Sequence, residues 1–575
     1  MNRQPTHPAM TQPLSMPRRH DLDALRAFAM LLGIALHAAM VYIGPTVRWP
    51  VQDVEHSRFF GLFVSAVHGF RMPLFFLVSG FFTAMLWRKR GLRALLWQRF
   101  RRIFLPLLIG LFTIGPAMEW SVDYLTREEA SGPAAEVADV DAHRDIWAAT
   151  RKGDVDAVQR HLDAGAELDA QDPDLHSTAL TTAAFMGETE VVRLLIAAGA
   201  DVNARNGDKG TALHAAAFFG HPDIVKLLLD HGADVNIRNV HDETPLDTTR
   251  HDWPVVRQIA GIVRCTPDEE QVNEGRPIIV GLIEASPAMQ AVSPWTRVVQ
   301  DVKQALQTPI LHHLWFLWFL CLLVGVFAVY ARISDWCGWR GLPNWLCLPP
   351  VCLLWLIPLT MLPQTFMRGL GPDTSLSLLP NPAVLGYYAV FFGYGAFYFD
   401  AHDKSMRLAR GWPIWLLVGV LVLFPLASEL TYPGLIPRGG LLHSLFVAPI
   451  ENSGGEPQIN TLLQATYAWA MTIGLMGLFH WALRRENRLV RYLSDASYWL
   501  YLTHLPTLFY IQYWLRDWRM PALIKFLTSC VLVTGLLLVI YQLVVRYTWI
   551  GRLLNGPRKR PEKSDPAVEL QPAEA

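Results

Sequence analysis

Near the start of this 575-residue chain, an arginine and a histidine share one face of an otherwise apolar run, Asp21-Leu-Asp-Ala-Leu-Arg26-Ala-Phe-Ala-Met-Leu-Leu-Gly-Ile-Ala-Leu-His37. Eleven residues turn a helix about 20° past three full turns and advance it about 16 Å. Asp23, one turn before Arg26, is placed to partner it. Snorkelling would account for Arg26 but not for a deep His37. A second apolar run, Gly69-Phe-Arg71-Met-Pro-Leu-Phe-Phe-Leu-Val-Ser79-Gly80, encloses Arg71. Pro73 frees backbone groups beside it, and Ser79-Gly80 permits close helix contact. A histidine can take a hydroxyl proton near neutral pH. An arginine can hold phosphate or carboxylate, or stabilise an oxyanion. The spacing therefore points to His37 as the candidate base, with Arg26 and Arg71 as candidate anion-binding groups. Ser79 reads as a nucleophile or, with no base near it in sequence, as a helix-packing residue. His312, His313 and His504 lie near the ends of apolar runs, where each reads as catalytic or as an interface residue.

These groups must be positioned by membrane helices. Apolar residues make up 52% of the chain and charged residues 17%, with 21 tryptophans and a mean hydropathy of +0.22. Such a composition excludes a disordered chain and an ordinary soluble globule. The expected fold class is all-α: a polytopic membrane bundle of about ten helices with an inserted α-helical solenoid. A span takes ~20 mostly apolar residues. Ten candidates fall at roughly 24–43, 59–87, 101–118, 312–331, 345–363, 383–400, 412–428, 461–482, 495–514 and 522–548. The first lacks a small-residue cleavage site and reads as an anchor. Six cysteines form no CxxC pair, so neither a disulfide framework nor a metal site is expected.

Charge sets the expected orientation. From Glu119 to Lys303 the chain carries 32 acidic and 16 basic residues, leaving 18 acidic and 34 basic elsewhere. Basic clusters precede the first span (Arg18, Arg19) and follow the second (Arg88 to Arg99), fourth (Arg332, Arg340), sixth (Lys404, Arg407, Arg410), eighth (Arg484 to Arg491) and tenth (Arg552 to Lys563). With ten spans all of them fall on one side, which the positive-inside rule makes cytoplasmic. Both termini are then cytoplasmic and the acidic insert lies on the outer side, with a bacterial inner membrane as the expected location. The basic excess points to cytoplasmic loops rather than to nucleic acid.

The insert repeats. Thr178-Ala-Leu-Thr-Thr-Ala-Ala recurs as Thr211-Ala-Leu-His-Ala-Ala-Ala and weakly as Thr244-Pro-Leu-Asp-Thr-Thr, each step being 33 residues. Turn glycines and apolar runs keep the same register, as in an ankyrin array. His214 sits where such arrays place a structural histidine. The array holds no nucleophile–base pair and no metal spacing, which leaves binding or spacing as its expected work. The resulting organisation is 1–20 cytoplasmic segment, 21–118 first membrane part, 119–142 linker, 143–262 ankyrin repeats, 263–308 linker, 309–550 second membrane part and 551–575 disordered cytoplasmic tail.

Several blocks in order carry a family resemblance. They are Arg26-x10-His37, Arg71-x-Pro-Leu-Phe-Phe-Leu-x-Ser-Gly, Arg101-Arg-x-x-Leu-Pro and Ser494-Asp-Ala-Ser-Tyr-Trp-Leu-Tyr-Leu-Thr-His504-Leu-Pro. Together they resemble acyltransferase family 3. His313-Leu-Trp-Phe-Leu-Trp318 looks like the branch of that family containing the succinyltransferase of periplasmic glucans. The resemblance covers most of 20–118 and 309–550, and the ankyrin insert departs from the family's usual pattern. It implies transfer of an acyl group, with acyl-CoA as donor substrate and no tightly bound cofactor, to a hydroxyl of a carbohydrate or other envelope acceptor. The bilayer, donor, acceptor and a protein partner bound through the repeats are the expected partners. Two other classes fit parts of the pattern: a non-enzymatic receptor or scaffold displaying ankyrin repeats, which leaves the embedded charges unexplained, and a transporter, for which no inverted repeat is visible.

Overall fold

The computed structural model describes residues 19–44, 49–130 and 145–556, apart from 174, 242, 291–293, 340, 368, 404, 439 and 452. Most of the 1–20 segment, much of the 119–142 linker and the tail from 557 lie outside the described residues. So do Arg18, Arg340, Lys404 and the basic residues of the tail beyond Arg552. Two compact units emerge, one up to Leu125 and from Leu306 onward, the other from Thr126 to Ala305. Among the described residues both are helical and contain no strand.

In the first unit the ten apolar segments fall largely in helix, from His20–Ala39 and Arg58–Arg99 through to Arg488–Leu515 and Ala522–Ile540, the segment 345–363 being broken at residues 348–350. By length and composition, six stretches among the described residues suffice to cross a membrane. One of them, Arg58–Val122, runs for 65 residues and carries both the second and third apolar segments. It is interrupted at Gly91, whose φ of 78° and ψ of 168° break the helix there. The count of ten is not reached by this measure. Val351–Gln364 is short. Pro382–Asp400 and Arg488–Leu515 carry tyrosines and ionisable groups, many of them turned into the body of the unit. The Pro382–Asp400 helix packs backbone to backbone on the Arg58–Arg99 helix through a reciprocal pair of glycines. A Cβ on Gly80 would fall 1.9 Å from the Phe392 carbonyl oxygen, and one on Gly395 the same distance from that of Leu77.

In the second unit, sequence pattern and structure agree turn by turn. The repeated threonines cap helices: Thr178 accepts from the Thr181 amide, and Thr244 forms a reciprocal box with Asp247. Alanines and β-branched residues fill the shared core between helix pairs. Side chains link successive turns, as Asp169 accepts from the Asp201 amide at 3.0 Å and Asn203 from the Asp234 amide at 2.8 Å. The stretch 263–308, read above as a linker, carries helices at Glu269–Ala285 and Pro294–Gln307. The first of these extends the solenoid. Its Ile279 and Ile283 join the repeats' apolar cluster, and Gly275 meets the backbone of Gly220 so closely that a Cβ would overlap. Pattern reasoning missed it because a capping helix follows no 33-residue register.

Candidate active site

The first helix carries His37 at its C-terminal end, and the Arg488–Leu515 helix crosses it with His504. His37 Nδ1 and His504 Nε2 lie 2.9 Å apart, bringing together residues 467 positions distant in sequence. Their roles follow from the remaining nitrogen of His504. Its Nδ1 lies 2.9 Å from the Tyr501 carbonyl and 3.1 Å from that of Leu500, so it carries the proton. With both rings neutral, His504 Nε2 is the acceptor and His37 Nδ1–H the donor, which leaves the lone pair of His37 on Nε2. Helical backbone thus fixes the tautomer of His504, and His504 fixes that of His37.

Trp49 completes the setting of His37. Its ring stacks on His37 with centroids 6.0 Å apart and planes at 15°. Its indole N–H donates to Gln512 Oε1 at 2.9 Å, and Gln512 in turn donates to the Ala38 carbonyl at 3.1 Å. The segment bearing Trp49 is tied down by a buried ion pair, Lys525 Nζ to both oxygens of Asp53 at 2.9 and 3.1 Å.

Arg71 enters from the Arg58–Arg99 helix and lies against Gly33, one turn before His37 on the same face. A Cβ on Gly33 would fall 2.1 Å from an Arg71 terminal nitrogen, so the guanidinium lies directly over Gly33 and a side chain there would displace it. Arg71 Nε is buried without a hydrogen-bond partner. An unmet charged donor beside a base is costly in an apolar interior and suits an anionic or carbonyl ligand. His313 sits edge-on to His504, centroids 5.4 Å apart, and donates from Nε2 to the Leu502 carbonyl at 3.0 Å, leaving Nδ1 buried and unpartnered. His68, three residues before Arg71, donates to the Pro372 carbonyl at 2.6 Å and lies within electrostatic range of His37.

The structure therefore gathers His37, Arg71, His313 and His504 into one cluster. His312 is outside it, partly exposed and 3.8 Å from exposed Glu119. Ser79 is also outside, eight residues and about 12 Å along the helix from Arg71, where its carbonyl accepts from Thr83. Arg26 marks the far end of the first helix. Its Nη2 donates to the Ser494 hydroxyl and carbonyl at 3.1 and 3.3 Å, while Nε is buried and unpartnered. Arg99, bound to Thr83 Oγ1 at 2.8 Å, and Arg102, bound to the Asn555 carbonyl at 3.1 Å, add two guanidinium groups to its electrostatic neighbourhood. Arg99 Nε is likewise buried and unmet.

Sequence reasoning passed over Trp49, Gln512, His68, Arg99 and the Asp53–Lys525 pair. Lys525 carried a usable signal, a cation inside an apolar span. Trp49 carried none, since its value comes from a ring placed against His37 by folding.

Buried ionisable groups converging inside a bundle of apolar helices, in a chain that also carries a helical-repeat unit, define a polytopic helical bundle with an inserted ankyrin module. The chain belongs to the acyltransferase-domain family, whose model matches residues 19–128 and 278–542. The ankyrin-repeat family model, of three copies, matches 146–239. Curated relatives include the glucans biosynthesis protein C of Escherichia coli strains K12 and SMS-3-5. Each is 36% identical over 99 residues, a stretch that makes up 17% of this chain and 25% of the relative. The chain thus spans a quarter of the length of these relatives. Among solved structures, the ankyrin repeat domain of Bcl-3 is 32% identical, over 21% of this chain and 50% of that one, with a TM-score of 0.18.

Proposed function

We propose that this protein transfers an acyl group from acyl-CoA to a hydroxyl of a carbohydrate in the cell envelope. His37 Nε2 accepts the hydroxyl proton while the oxygen attacks the thioester carbonyl. Arg71 stabilises the negative charge that develops on the carbonyl oxygen. The C–S bond then breaks, and the imidazolium of His37 returns the proton to the departing thiolate. Throughout, His504 accepts the Nδ1–H of His37 and holds its ring. Arg26, at the other end of the same helix face, holds donor phosphate, so that a cytoplasmic donor serves an outer-side acceptor along one polar stripe.

The observation that carries this reading is the 2.9 Å contact between His37 Nδ1 and a His504 whose own Nδ1 is committed to backbone carbonyls. Family membership supports acyl transfer, and the glucan in the relatives' name supports a glucan acceptor. The one-sided basic clusters support cytoplasmic termini in a bacterial inner membrane, with the ankyrin insert on the outer side binding acceptor or partner. The test is acyl transfer by purified protein, wild type against His504→Ala. Freed from its acceptor, His37 should lose orientation, and kcat should fall by on the order of 10²-fold with donor KM little changed. An unchanged kcat in well-folded protein would remove His504 from the mechanism. Mass spectrometry of envelope glycans from cells with and without the protein should reveal the acyl group and its acceptor as a mass shift.

A further inference from the structure

The helix Pro294–Gln307 has an uncovered apolar stripe. Trp295, Val299, Val302 and Leu306 are 74, 51, 54 and 38% exposed. At 100° per residue these four positions fall within about 60° of one another on the helix circumference. In the sequence register Arg297, Gln300, Asp301, Gln304 and Gln307 fall in the other half of the circumference, and Lys303 flanks the stripe. So clean a division of a 14-residue helix points to two environments, one wet and one apolar.

What covers the stripe follows from where the helix ends. The span beginning at His312 lies only four residues after Gln307. The junction is pinned at both edges. The Leu379 amide donates to the Leu306 carbonyl at 2.8 Å, and the Leu311 amide to the Leu376 carbonyl at 2.9 Å. The C-terminal turn is therefore held at the mouth of a membrane-crossing helix. Trp295 begins the stripe, and tryptophan is the residue favoured at the boundary between headgroups and acyl chains.

We propose that Pro294–Gln307 is an interfacial helix that lies in the bilayer surface, with Trp295, Val299, Val302 and Leu306 buried at the headgroup–acyl boundary. Its occupant is lipid, and its near-balanced charge calls for no particular anionic headgroup. The inference does not depend on the acyl-transfer reading. It assigns the segment between the ankyrin unit and the span beginning at His312 a mechanical role as an anchor.

The test uses the full chain in vesicles of phosphatidylethanolamine and phosphatidylglycerol, with Val299→Cys and Gln304→Cys variants. Alkylation by a bilayer-impermeant maleimide is read peptide by peptide, so native cysteines do not interfere. Val299→Cys should react about tenfold more slowly than Gln304→Cys, and a bilayer-confined photoreactive carbene should mark the 294–307 peptide of the wild-type protein. Equal maleimide rates at the two positions would overturn the proposal by placing the stripe in water. Slow alkylation without photolabelling would overturn it too, by showing that protein covers the stripe, either the repeat unit or a second copy of the chain.

Discussion

The two units bury the same residue type to opposite ends. In the ankyrin unit, His214 is fully engaged. Its Nδ1 accepts from the Thr211 amide at 3.1 Å, and its Nε2–H donates to the Glu243 carbonyl at 3.1 Å. It closes a capping box and ties one repeat to the next, which is structural work. In the membrane unit, His37 uses one nitrogen to fix its orientation and keeps the other lone pair in reserve, beside an Arg71 whose Nε has no partner. Folding tends to satisfy buried polar groups, and a group held in place yet left unmet is poised for a ligand. The contrast separates a supporting histidine from the one proposed as the base without reference to any motif.

That comparison can be broken most directly at the two histidines. His37→Ala should lower transfer by ~10²–10⁴ while expression and membrane insertion stay normal, as expected for loss of one general base. His214→Ala should leave transfer to a small soluble acceptor unchanged and destabilise the insert by about 2 kcal/mol, for two lost hydrogen bonds. Activity of His37→Ala within a few-fold of wild type would end its assignment as base. Rates measured alongside hydrogen exchange over 211–250 supply both readouts.

The next largest effect concerns the arginines. Arg71→Ala should cost on the order of 10²–10³ in kcat, as for removal of one oxyanion donor. Lysine should rescue Arg26 better than Arg71. At Arg71 the planar fork beside Gly33 matters, whereas Arg26 needs chiefly positive charge for a phosphate. Dependence of rate on donor concentration for the four variants decides the point, and equal rescue at both sites would erase the distinction.

Replacing the insert with a flexible linker sharpens the comparison at the level of whole units. The helix Glu269–Ala285 belongs to the solenoid core, so the cut must remove it with the repeats, for example residues 131–290. A cut ending near residue 265 would strand Ile279 and Ile283 without their partners. Transfer to a small soluble acceptor should survive, and transfer to the native acceptor should fall. Loss of both in a well-inserted variant would mean that the chemistry depends on the insert.

The smallest effect is a pH dependence confined to the ankyrin unit. Burial holds His214 and His221 below the ordinary histidine range, outweighing the hydrogen bonds that favour their charged forms. Below about pH 6.5 the unfolded repeats therefore bind protons that the folded ones resist, and stability falls as pH falls. Amide protection across 211–230 should drop between pH 7.5 and 5.5, and the drop should shrink in a His214→Gln variant. Constant protection would show that these side chains titrate alike in both states.

Much of this protein is written locally. The 33-residue step fixed the repeats because each threonine cap, turn glycine and apolar stripe acts within one helix pair. Apolar runs located the long helices of the first unit, and ionisable groups embedded in them drew attention to Arg26, His37 and Arg71, since burying charge is costly wherever the chain goes. Helical spacing alone placed Arg26 and His37 on one face. Tertiary structure decided the rest. His504 could orient His37 only once two helices 467 residues apart had crossed, and nothing in either local pattern specifies that contact. His312 and His313 are adjacent in sequence, yet one ended beside an exposed glutamate and the other inside the cluster. Trp49, Gln512 and the glycine that admits Arg71 acquire their roles through packing. Periodicity encodes which face of a helix is buried, and only the assembled bundle determines what that face meets.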